Sequence, residues 1–292
     1  MTPKIIMVPF SGSDSEMGAL EAAAELAGRW NAHMEVWHIA PNPHSTAVAL
    51  YSIYGMGLTY IPDSLLVEIE KKGKDALLKA QKKFYRFLRI MQIAEDHNGG
   101  AGDRPSASFH LANGRADAIL RIQARLCDLV VISRGYTDAL TTSDNIVTDI
   151  AFHGGKPVLL MPAGKSSKPF TGKTMIAWNG SLPASRAVTA AMPFLQTGKV
   201  LIATAAEKAG KFPISAYELG SYLERHGIKA QTAVSRDKDV KAEISLLKKA
   251  RQYGADMIVL GAYSHLRARE FILGGVTDHM LKKAGLPLFI VH

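Results

Sequence analysis

Short runs rich in apolar and β-branched residues recur along this chain, each followed by a longer stretch with apolar residues at helical spacing. In the first half the runs cover residues 4–9, 34–39, 106–111 and 128–132. Runs of this length are typical of strands in a sheet that is covered on both faces. Because parallel neighbours must be joined by a crossover, usually a helix, the alternation predicts an α/β fold.

The same order of elements occurs twice. The strand and turn that begin at Lys4 return as KTMIAWNGS from Lys173, and DLVVI at residues 128–132 returns as DMIVL at residues 256–260. An internal repeat of this size indicates a duplicated domain. We therefore predict two tandem, doubly wound domains, each with a parallel, five-stranded, Rossmann-like sheet.

A linker separates the two predicted domains. Residues 163–170, AGKSSKPF, are mostly small, polar or proline, which is common in connections between domains. We place the N-terminal domain at residues 1–163 and the C-terminal domain at residues 171–292.

The two halves differ most after their second strand. The N-terminal half has an insertion at residues 41–62, rich in alanine, tyrosine and glycine, and then helical periodicity over residues 63–93. We interpret the insertion as a packed surface loop, with a ligand lid or a partner surface as the alternative. A glycine-containing loop is predicted at residues 95–105.

The last stretch of the chain, residues 256–292, has the layout of a phosphate-binding site. An apolar strand ends at Gly261, and Gly274 and Gly275 precede a helix predicted at residues 279–284. Glycine at a strand end lets a ligand approach the backbone. A helix start presents unpaired N–H groups and the positive end of the helix dipole to an anion.

Two hydroxyl groups in this stretch, those of Ser264 and Thr277, would add hydrogen-bond donors for a ligand. The alternative is purely structural: Gly274 and Gly275 loosen a turn, and Thr277 or Asp278 caps the helix. The glycines alone do not separate these two interpretations.

The spacing of the glycines resembles the universal stress protein signature, G-x2-G-x9-G-[S/T]. Ser264 stands at the second glycine, and Gly275 stands at the small hydroxyl position. Neither substitution is bulky, so room for phosphate is kept while one hydroxyl contact is lost. In that family the loop holds the ribose and phosphates of ATP or a related adenine nucleotide. The resemblance implies a cofactor-binding set at Gly261, Ser264, Gly274, Gly275, Val276 and Thr277.

The resemblance covers nearly the whole chain and implies an adenine nucleotide alpha hydrolase-like fold with further ligand contacts. Ala177 and Asn179 follow the first strand of the second domain, and Ala205 follows its second strand, where the family contacts adenine. Asn179 replaces a common aspartate, so it can hydrogen-bond a ribose or base but provides no carboxylate for a metal-bound phosphate. The implied ligand is ATP, ADP or AMP, with Mg²⁺ as an optional companion.

The N-terminal copy preserves the loop less well. Its counterpart, residues 133–145, lacks a glycine at the strand end and places Asp144 and Asn145 where glycines would admit a phosphate. A carboxylate there repels an anion, so this half is expected to be structural or to bind something else. Family members commonly pair through their last strands, which implies pairing of residues 158–161 with residues 288–291 and suggests a homodimer.

Composition supports an ordinary globular protein. The net charge is +9, and residues 169–292 carry 17 Lys and Arg against 9 Asp and Glu, which suits a phosphate-bearing ligand. The single cysteine, Cys127, is expected to be a buried thiol in a reducing compartment. No signal peptide, membrane span or nucleic-acid motif is found, so we expect a cytoplasmic protein without membrane or nucleic-acid partners.

Other chemistry finds little support. Residues 11–15, SGSDS, resemble the phosphate loop of ATP pyrophosphatases but are one residue short and hold one glycine, so we interpret the match as coincidence. The chain has no G-x4-GK[S/T] loop, no zinc spacing and no catalytic triad. No catalytic or metal-binding residue is therefore assigned.

Three functions follow from these expectations. The first is a stress-response protein whose C-terminal domain binds an adenine nucleotide and which regulates or binds an unknown protein partner. The second is a slow ATPase or phosphotransferase, which the missing carboxylate at Asn179 disfavours. The third is a nucleotide-free interaction module.

Overall fold

The chain forms two compact units in a computed structural model that describes residues 2–53, 61–97, 103–137, 143–164, 172–205, 214–235, 240–262 and 275–292. The N-terminal unit comprises Pro3–Lys156 and Ala163–Ser166, and the C-terminal unit comprises Pro157–Pro162 and Ser167–His292. Residues 157–162 thus pack with the C-terminal unit, although they precede the predicted boundary at residue 163.

The N-terminal unit is built on a parallel sheet with strand order β3-β4-β2-β1-β5. Its strands are β1 (Ile5–Pro9), β2 (His33–Ala40), β3 (Ala94–Glu95), β4 (Ser106–Asn113) and β5 (Leu129–Ser133). The very short β3 was not predicted, and it supplies the fifth strand of this sheet instead of residues 158–161.

Five helices are described in the N-terminal unit, and α2 and α5 among them were not predicted. They are α1 (Met17–Trp30, after a 3-10 turn at Asp14–Glu16), α2 (Pro43–Ile53), α3 (Asp63–Met91), α4 (Ala116–Gln123, continued by a 3-10 turn at Ala124–Leu126) and α5 (Ser143–Asp149, continued by a π-helical turn at Ile150–Gly154). The insertion predicted as a loop contains α2, which packs against α3. Its remaining residues, 54–60, lie outside the described part of the chain.

The long helix α3 is held by one buried stripe. Ala80, Phe84, Phe87 and Leu88 are buried, and they recur at the three- and four-residue spacing of a helix face. Phe84 lies 5.3 Å from Phe109 of β4, measured between ring centroids. This stripe fixes α3 over β2 and β4.

The C-terminal unit has the strand order β6-β11-β10-β7-β8-β9. Its strands are β6 (Val158–Met161), β7 (Lys173–Ala177), β8 (Lys199–Thr204), β9 (Ala230–Val234), β10 (Met257–Gly261) and β11 (Leu288–Val291). The five strands from β7 to β11 are parallel, and β6 pairs with β11 in the antiparallel direction, Leu160 opposite Leu288. The expected pairing of residues 158–161 with residues 288–291 is confirmed.

Four helices are described in this unit: α6 (Leu182–Leu195), α7 (Ala216–Arg225), α8 (Ala242–Tyr253) and α9 (Gly275–Lys283). Helix α7 was not predicted, although Ser215 and Glu218 form a capping box at its start. The sequence predicted a helix that starts at His279, whereas α9 begins at Gly275.

The duplication is visible in a matched pair of hydrogen bonds. The Asp128 carboxylate accepts from the Lys4 N–H at 2.7 Å, and the Asp256 carboxylate accepts from the Lys173 N–H at 2.8 Å. In each unit the fourth main strand is thereby held beside the first, and the predicted fold class is confirmed. Among the described helices, none is long and apolar enough to cross a membrane.

Candidate functional site

The winding of the C-terminal sheet reverses between β7 and β10. From β7 the chain moves outward to β8 and β9, and it then returns to form β10 on the other side of β7. Leu260 pairs with Ala177, so the two strands end side by side. In open α/β sheets, ligands bind outside the carboxyl ends of the strands at such a point. The structure therefore brings Ala177 and Gly261 together, as predicted.

The loop after β7 is anchored by Trp178, which is buried. Its backbone N–H donates to the Ala203 carbonyl at 2.9 Å, and its indole Nε1–H donates to the Ile214 carbonyl at 3.0 Å. A tryptophan satisfied at both groups is a rigid support. The following residue, Asn179, is thus presented at the edge of the sheet.

The side chain of Asn179 is engaged in starting α6. Its Oδ1 accepts from the Ser181 N–H at 3.2 Å and from the Ser181 hydroxyl at 2.7 Å. Ser181 in turn accepts from the Ala184 N–H at 3.3 Å and is the N-cap of the helix. Asn179 follows β7, and its oxygen holds the capping residue Ser181 in place.

Gly261 is required by packing against α6. A Cβ atom on this residue would lie 2.2 Å from the Ala184 nitrogen and 2.4 Å from the Pro183 carbonyl carbon. The direction in which a side chain of Gly261 would point is therefore closed to a ligand, and the predicted contact of its backbone with a ligand stays a prediction. That space is filled by the start of α6, and Gly261 holds the two loops in contact.

Helix α9 begins at an exposed glycine. Among the described residues, no atom lies within 4 Å of a Cβ built on Gly275. Val276 is half-buried and Thr277 is buried within the first helical turn. Ser264 and Gly274 lie outside the described residues. Of the predicted loop, Gly275 is thus an accessible position at a helix N-terminus.

The end of β8 offers one candidate that the sequence did not single out. Ala205 is buried, and the neighbouring Thr204 has a buried hydroxyl without a hydrogen-bond partner among the described residues. Buried polar atoms are nearly always paired, so Thr204 is a candidate ligand contact. The sequence indicates this contact only by a threonine at the end of an apolar strand, which is a weak signal.

The N-terminal unit repeats this geometry with different side chains. The Phe10 N–H donates to the Trp37 carbonyl at 2.8 Å, as the Trp178 N–H does to Ala203, so Ser11 matches Asn179. Ser133 stands where Gly261 ends β10, and its hydroxyl donates to the Ser15 carbonyl at 2.7 Å. The position that packs as bare backbone in one unit is therefore hydrogen-bonded in the other.

Sequence reasoning missed Glu16, which is fully buried beside this N-terminal loop. Its carboxylate accepts from the Ser11 N–H at 2.7 Å and from the Ser11 hydroxyl at 2.5 Å. Burial raises the pKa of Glu16 to about 7, although hydrogen bonds from Ser11, Gly12 and Ser13 act to lower it. The net shift means that desolvation outweighs the loop's donors.

Metal binding and thiol chemistry find no support in the part of the chain that the structure describes. No group of three or more His, Cys, Asp or Glu side chains there could hold a metal ion. Cys127 is buried, as expected, and burial raises the pKa of its thiol to about 12. Because the thiolate is the reactive form, this cysteine is inert at neutral pH.

Comparison with known proteins identifies the C-terminal half. The model of the universal stress protein family matches residues 180–292. The universal stress protein Slr1230 of Synechocystis is 22% identical over 297 residues, and the match covers 98% of each chain. Residues 180–292 therefore match the universal stress protein family, and the full-length relative extends this similarity to the N-terminal half.

Solved structures agree on the fold of the whole chain. A universal stress protein from Archaeoglobus fulgidus has a TM-score of 0.66 at 14% identity, covering 98% of this chain and 97% of its own. A putative universal stress protein from Pseudomonas aeruginosa has a TM-score of 0.58 at 12% identity, covering 99% and 93%. At these identities the likeness concerns the fold alone.

The family match begins at Gly180, just after Asn179, and ends with the chain. It therefore includes Gly261 and the start of α9 but not the strand β7 that lies beside them. For the N-terminal half, the similarity rests on the full-length relative and on the fold.

Proposed function

We propose that the C-terminal unit binds an adenine nucleotide, ATP, ADP or AMP, and that the protein acts in the stress response as a binding or regulatory protein. The observation that carries this proposal is the pairing of Leu260 with Ala177, which joins the ends of β7 and β10 where the sheet reverses. The glycine-spaced stretch from Gly261 to Gly275 begins at this junction.

Each candidate has a defined task in this proposal. Gly275 and the N–H groups at the start of α9 face the phosphates, because no described atom crowds Gly275 and the helix dipole favours an anion there. Asn179 and Ala177 line the ribose side, and Ala205 with Thr204 lies at the adenine side. Gly261 contributes indirectly, since it lets α6 approach β10. Ser264, Gly274, Val276 and Thr277 complete the predicted set.

The basic character of this half suits a phosphate ligand. Its excess of Lys and Arg raises the local potential, which attracts anions over several ångströms. Lys282, on α9, is partly neutralised by an ion pair with Asp278 at 2.7 Å. The proposed attraction therefore comes from the whole half and from the helix start, and not from that lysine.

An ATPase or phosphotransferase is the second candidate, and the chemistry at Asn179 disfavours it. An amide provides no carboxylate for Mg²⁺, and its oxygen already accepts two hydrogen bonds from Ser181. Mg²⁺ would then be held by phosphate oxygens and water alone. Magnesium-dependent turnover that disappears in a Gly275→Asp variant would restore this candidate.

A nucleotide-free interaction module is the third candidate, and it is separated from the first by mass spectrometry. Protein denatured directly after purification is expected to release an adenine nucleotide in a near-stoichiometric amount. Release of none, together with no affinity for added ATP, ADP or AMP, would favour the interaction module.

A matched pair of variants tests the site itself. Gly275→Asp places a carboxylate where the phosphates are proposed to lie, whereas Gly285→Asp makes the same charge change at another exposed glycine with no atom within 4 Å of a built Cβ. Equilibrium titration is expected to show at least roughly tenfold weaker nucleotide binding for Gly275→Asp only, about 1.4 kcal/mol. Equal affinities for both variants and the unmodified protein contradict the site.

A further inference from the structure

The loop after β1 already holds an anion that belongs to the chain. Glu16 is fully buried, and its two carboxylate oxygens accept from the backbone and the hydroxyl of Ser11 at 2.7 and 2.5 Å. The backbone N–H groups of Gly12 and Ser13 also face this carboxylate and act to lower its pKa. Successive backbone N–H groups directed at one anion form the kind of concave site that binds phosphate.

The matching position in the C-terminal unit carries no charge. Ser13 and Ser181 are the N-caps that follow the first strand of each unit, and three residues after them stand Glu16 and Ala184. Ala184 is buried and contributes only backbone to its surroundings at Gly261. The two units therefore differ by one carboxylate at the same point of the same loop.

We propose that Glu16 is an internal anion, which fills in the N-terminal unit an oxyanion-binding loop at Ser11, Gly12 and Ser13 that would otherwise accept a phosphate group. The ligand class follows from the donors: the N–H and hydroxyl of Ser11, with the N–H groups of Gly12 and Ser13 facing the same point, suit the oxygens of phosphate as they suit those of a carboxylate. Whenever Glu16 is ionised, the N-terminal unit is in this sense liganded by its own chain.

Helix α3 covers the filled loop. Gly12 has a φ of +93°, and a Cβ on it would lie 2.9 Å from the Cα of Ala80. Lys83, one turn further along α3, pairs with Asp14 at 2.6 Å. The cover and the internal carboxylate act together, because a larger ligand would have to displace both.

The stability of the fold does not by itself explain this carboxylate. Burial disfavours the charged form of Glu16 more than the loop's donors favour it, as the raised pKa shows. In the other unit the Ser181 hydroxyl caps the helix start with the apolar Ala184 in the matching position, so no such penalty arises there. Keeping a phosphate group out of the loop therefore explains the carboxylate better than a contribution to stability does.

Emptying the loop tests the proposal in the full-length chain. Glu16→Ala copies the residue of the C-terminal unit, and Glu16→Ser provides a second small side chain if the first variant folds poorly. The control is Glu25→Ala, which removes the same charge from an exposed ion pair on α1. Inorganic phosphate is titrated at pH 8 against matched chloride, and the amide resonances of Gly12 and Ser13 are followed by NMR.

Both Glu16 variants are expected to show saturable shifts at Gly12 and Ser13, with phosphate binding at least roughly tenfold tighter than in the unmodified chain. The Glu25→Ala control is expected to behave like the unmodified chain. Because the readout is specific to these amides, phosphate bound in the C-terminal unit does not affect it. Folded variants without saturable shifts, or equal shifts in the unmodified chain, overturn the proposal.

A measurement on the unmodified chain covers the case in which neither variant folds. If the carboxylate occupies the loop, a pH titration followed by NMR gives the same midpoint pH for two sets of chemical shifts. These are the shifts of the Ser11 and Gly12 amide protons and that of the Glu16 carboxyl carbon. Amides that do not follow Glu16 show that the carboxylate is not bound by the loop, and they overturn the proposal as well.

Discussion

Gly261 at the end of β10 lies directly against the backbone of Ala184 at the start of α6. A single added carbon on Gly261 would come within 2.2 Å of the Ala184 nitrogen. Real contacts of a Cβ atom are far longer, so neither element can keep its place if a side chain is present. This close approach joins the two loops on which the proposed nucleotide site is built.

The first prediction is that Gly261→Ala destabilises the protein by about 1–3 kcal/mol, because overpacking forces α6 away from β10. Nucleotide affinity is expected to fall with it, since the loops move apart. Thermal or denaturant unfolding measures the first effect and equilibrium titration the second. Gly285→Ala, at an exposed glycine with open surroundings, is the control and is expected to change neither. Unchanged stability in Gly261→Ala would contradict the packing.

The second prediction concerns Asn179, where aspartate preserves the shape of the side chain. Asn179→Asp is expected to fold normally, since a carboxylate can accept the two hydrogen bonds from Ser181 and is favourable at a helix start. It adds a ligand for Mg²⁺, so nucleotide affinity should become dependent on magnesium. Titrations with and without the ion measure this. Magnesium dependence that is equal in both proteins argues against a phosphate near residue 179.

A control variant separates capping from ligand binding at this position. Asn179→Ala removes the oxygen that Ser181 uses and is expected to reduce the stability by about 1 kcal/mol. The aspartate variant should not show this loss. If it does, the amide nitrogen of Asn179 has a structural role that the aspartate cannot replace.

The repeat and most strands could be predicted because buried parallel strands have a strong local signal. Runs such as residues 257–260 are apolar and bounded by glycine, and the internal repeat places a matching run at the corresponding point of the other half. Elements whose stability comes from tertiary contacts were missed. The two-residue β3 depends on β4, and α2 depends on its packing against α3.

The site was predictable only in outline. Ala177 and Gly261 could be placed together, because the carboxyl ends of strands at a reversal point are adjacent in any doubly wound sheet. The reason for Gly261 could not be found from the sequence, since the residue that crowds it is distant along the chain. Glu16 was overlooked because an acidic residue near a helix start is usually a solvated first-turn charge.

The third prediction follows from the pairing of β6 with β11. A fragment covering residues 157–292 keeps β6 on the edge of β11, whereas a fragment that starts at residue 172 leaves that edge of β11 uncovered. Uncovered edges pair with other chains, so the shorter fragment should self-associate or unfold at a lower temperature. Analytical ultracentrifugation and thermal unfolding measure this. Identical behaviour of the two fragments would show that β6 is dispensable.

The fourth prediction is a pH dependence that Glu16 imposes on stability. The pKa of Glu16 is raised from 4.5 to about 7 in the folded protein, so between these values the folded state binds more protons than the unfolded state. The stabilising effect of the protonated group is therefore complete below pH 4.5 and is lost as the pH rises to 7. The free energy of unfolding of Glu16→Gln, taken relative to that of the unmodified protein, should therefore rise by roughly 3 kcal/mol between pH 4 and pH 8.

Glu218 provides a control of opposite sign for this measurement. Hydrogen bonds from Ser215 lower the pKa of Glu218, so its stabilising effect is present at neutral pH and is lost as the pH falls through the lowered value. Glu218→Gln should therefore lose stability relative to the unmodified protein at pH 8 and not at low pH. Denaturant unfolding of the three proteins at several pH values measures both trends. If the difference in the free energy of unfolding between Glu16→Gln and the unmodified protein is constant with pH, the carboxylate is solvated. The internal-anion interpretation would then fail.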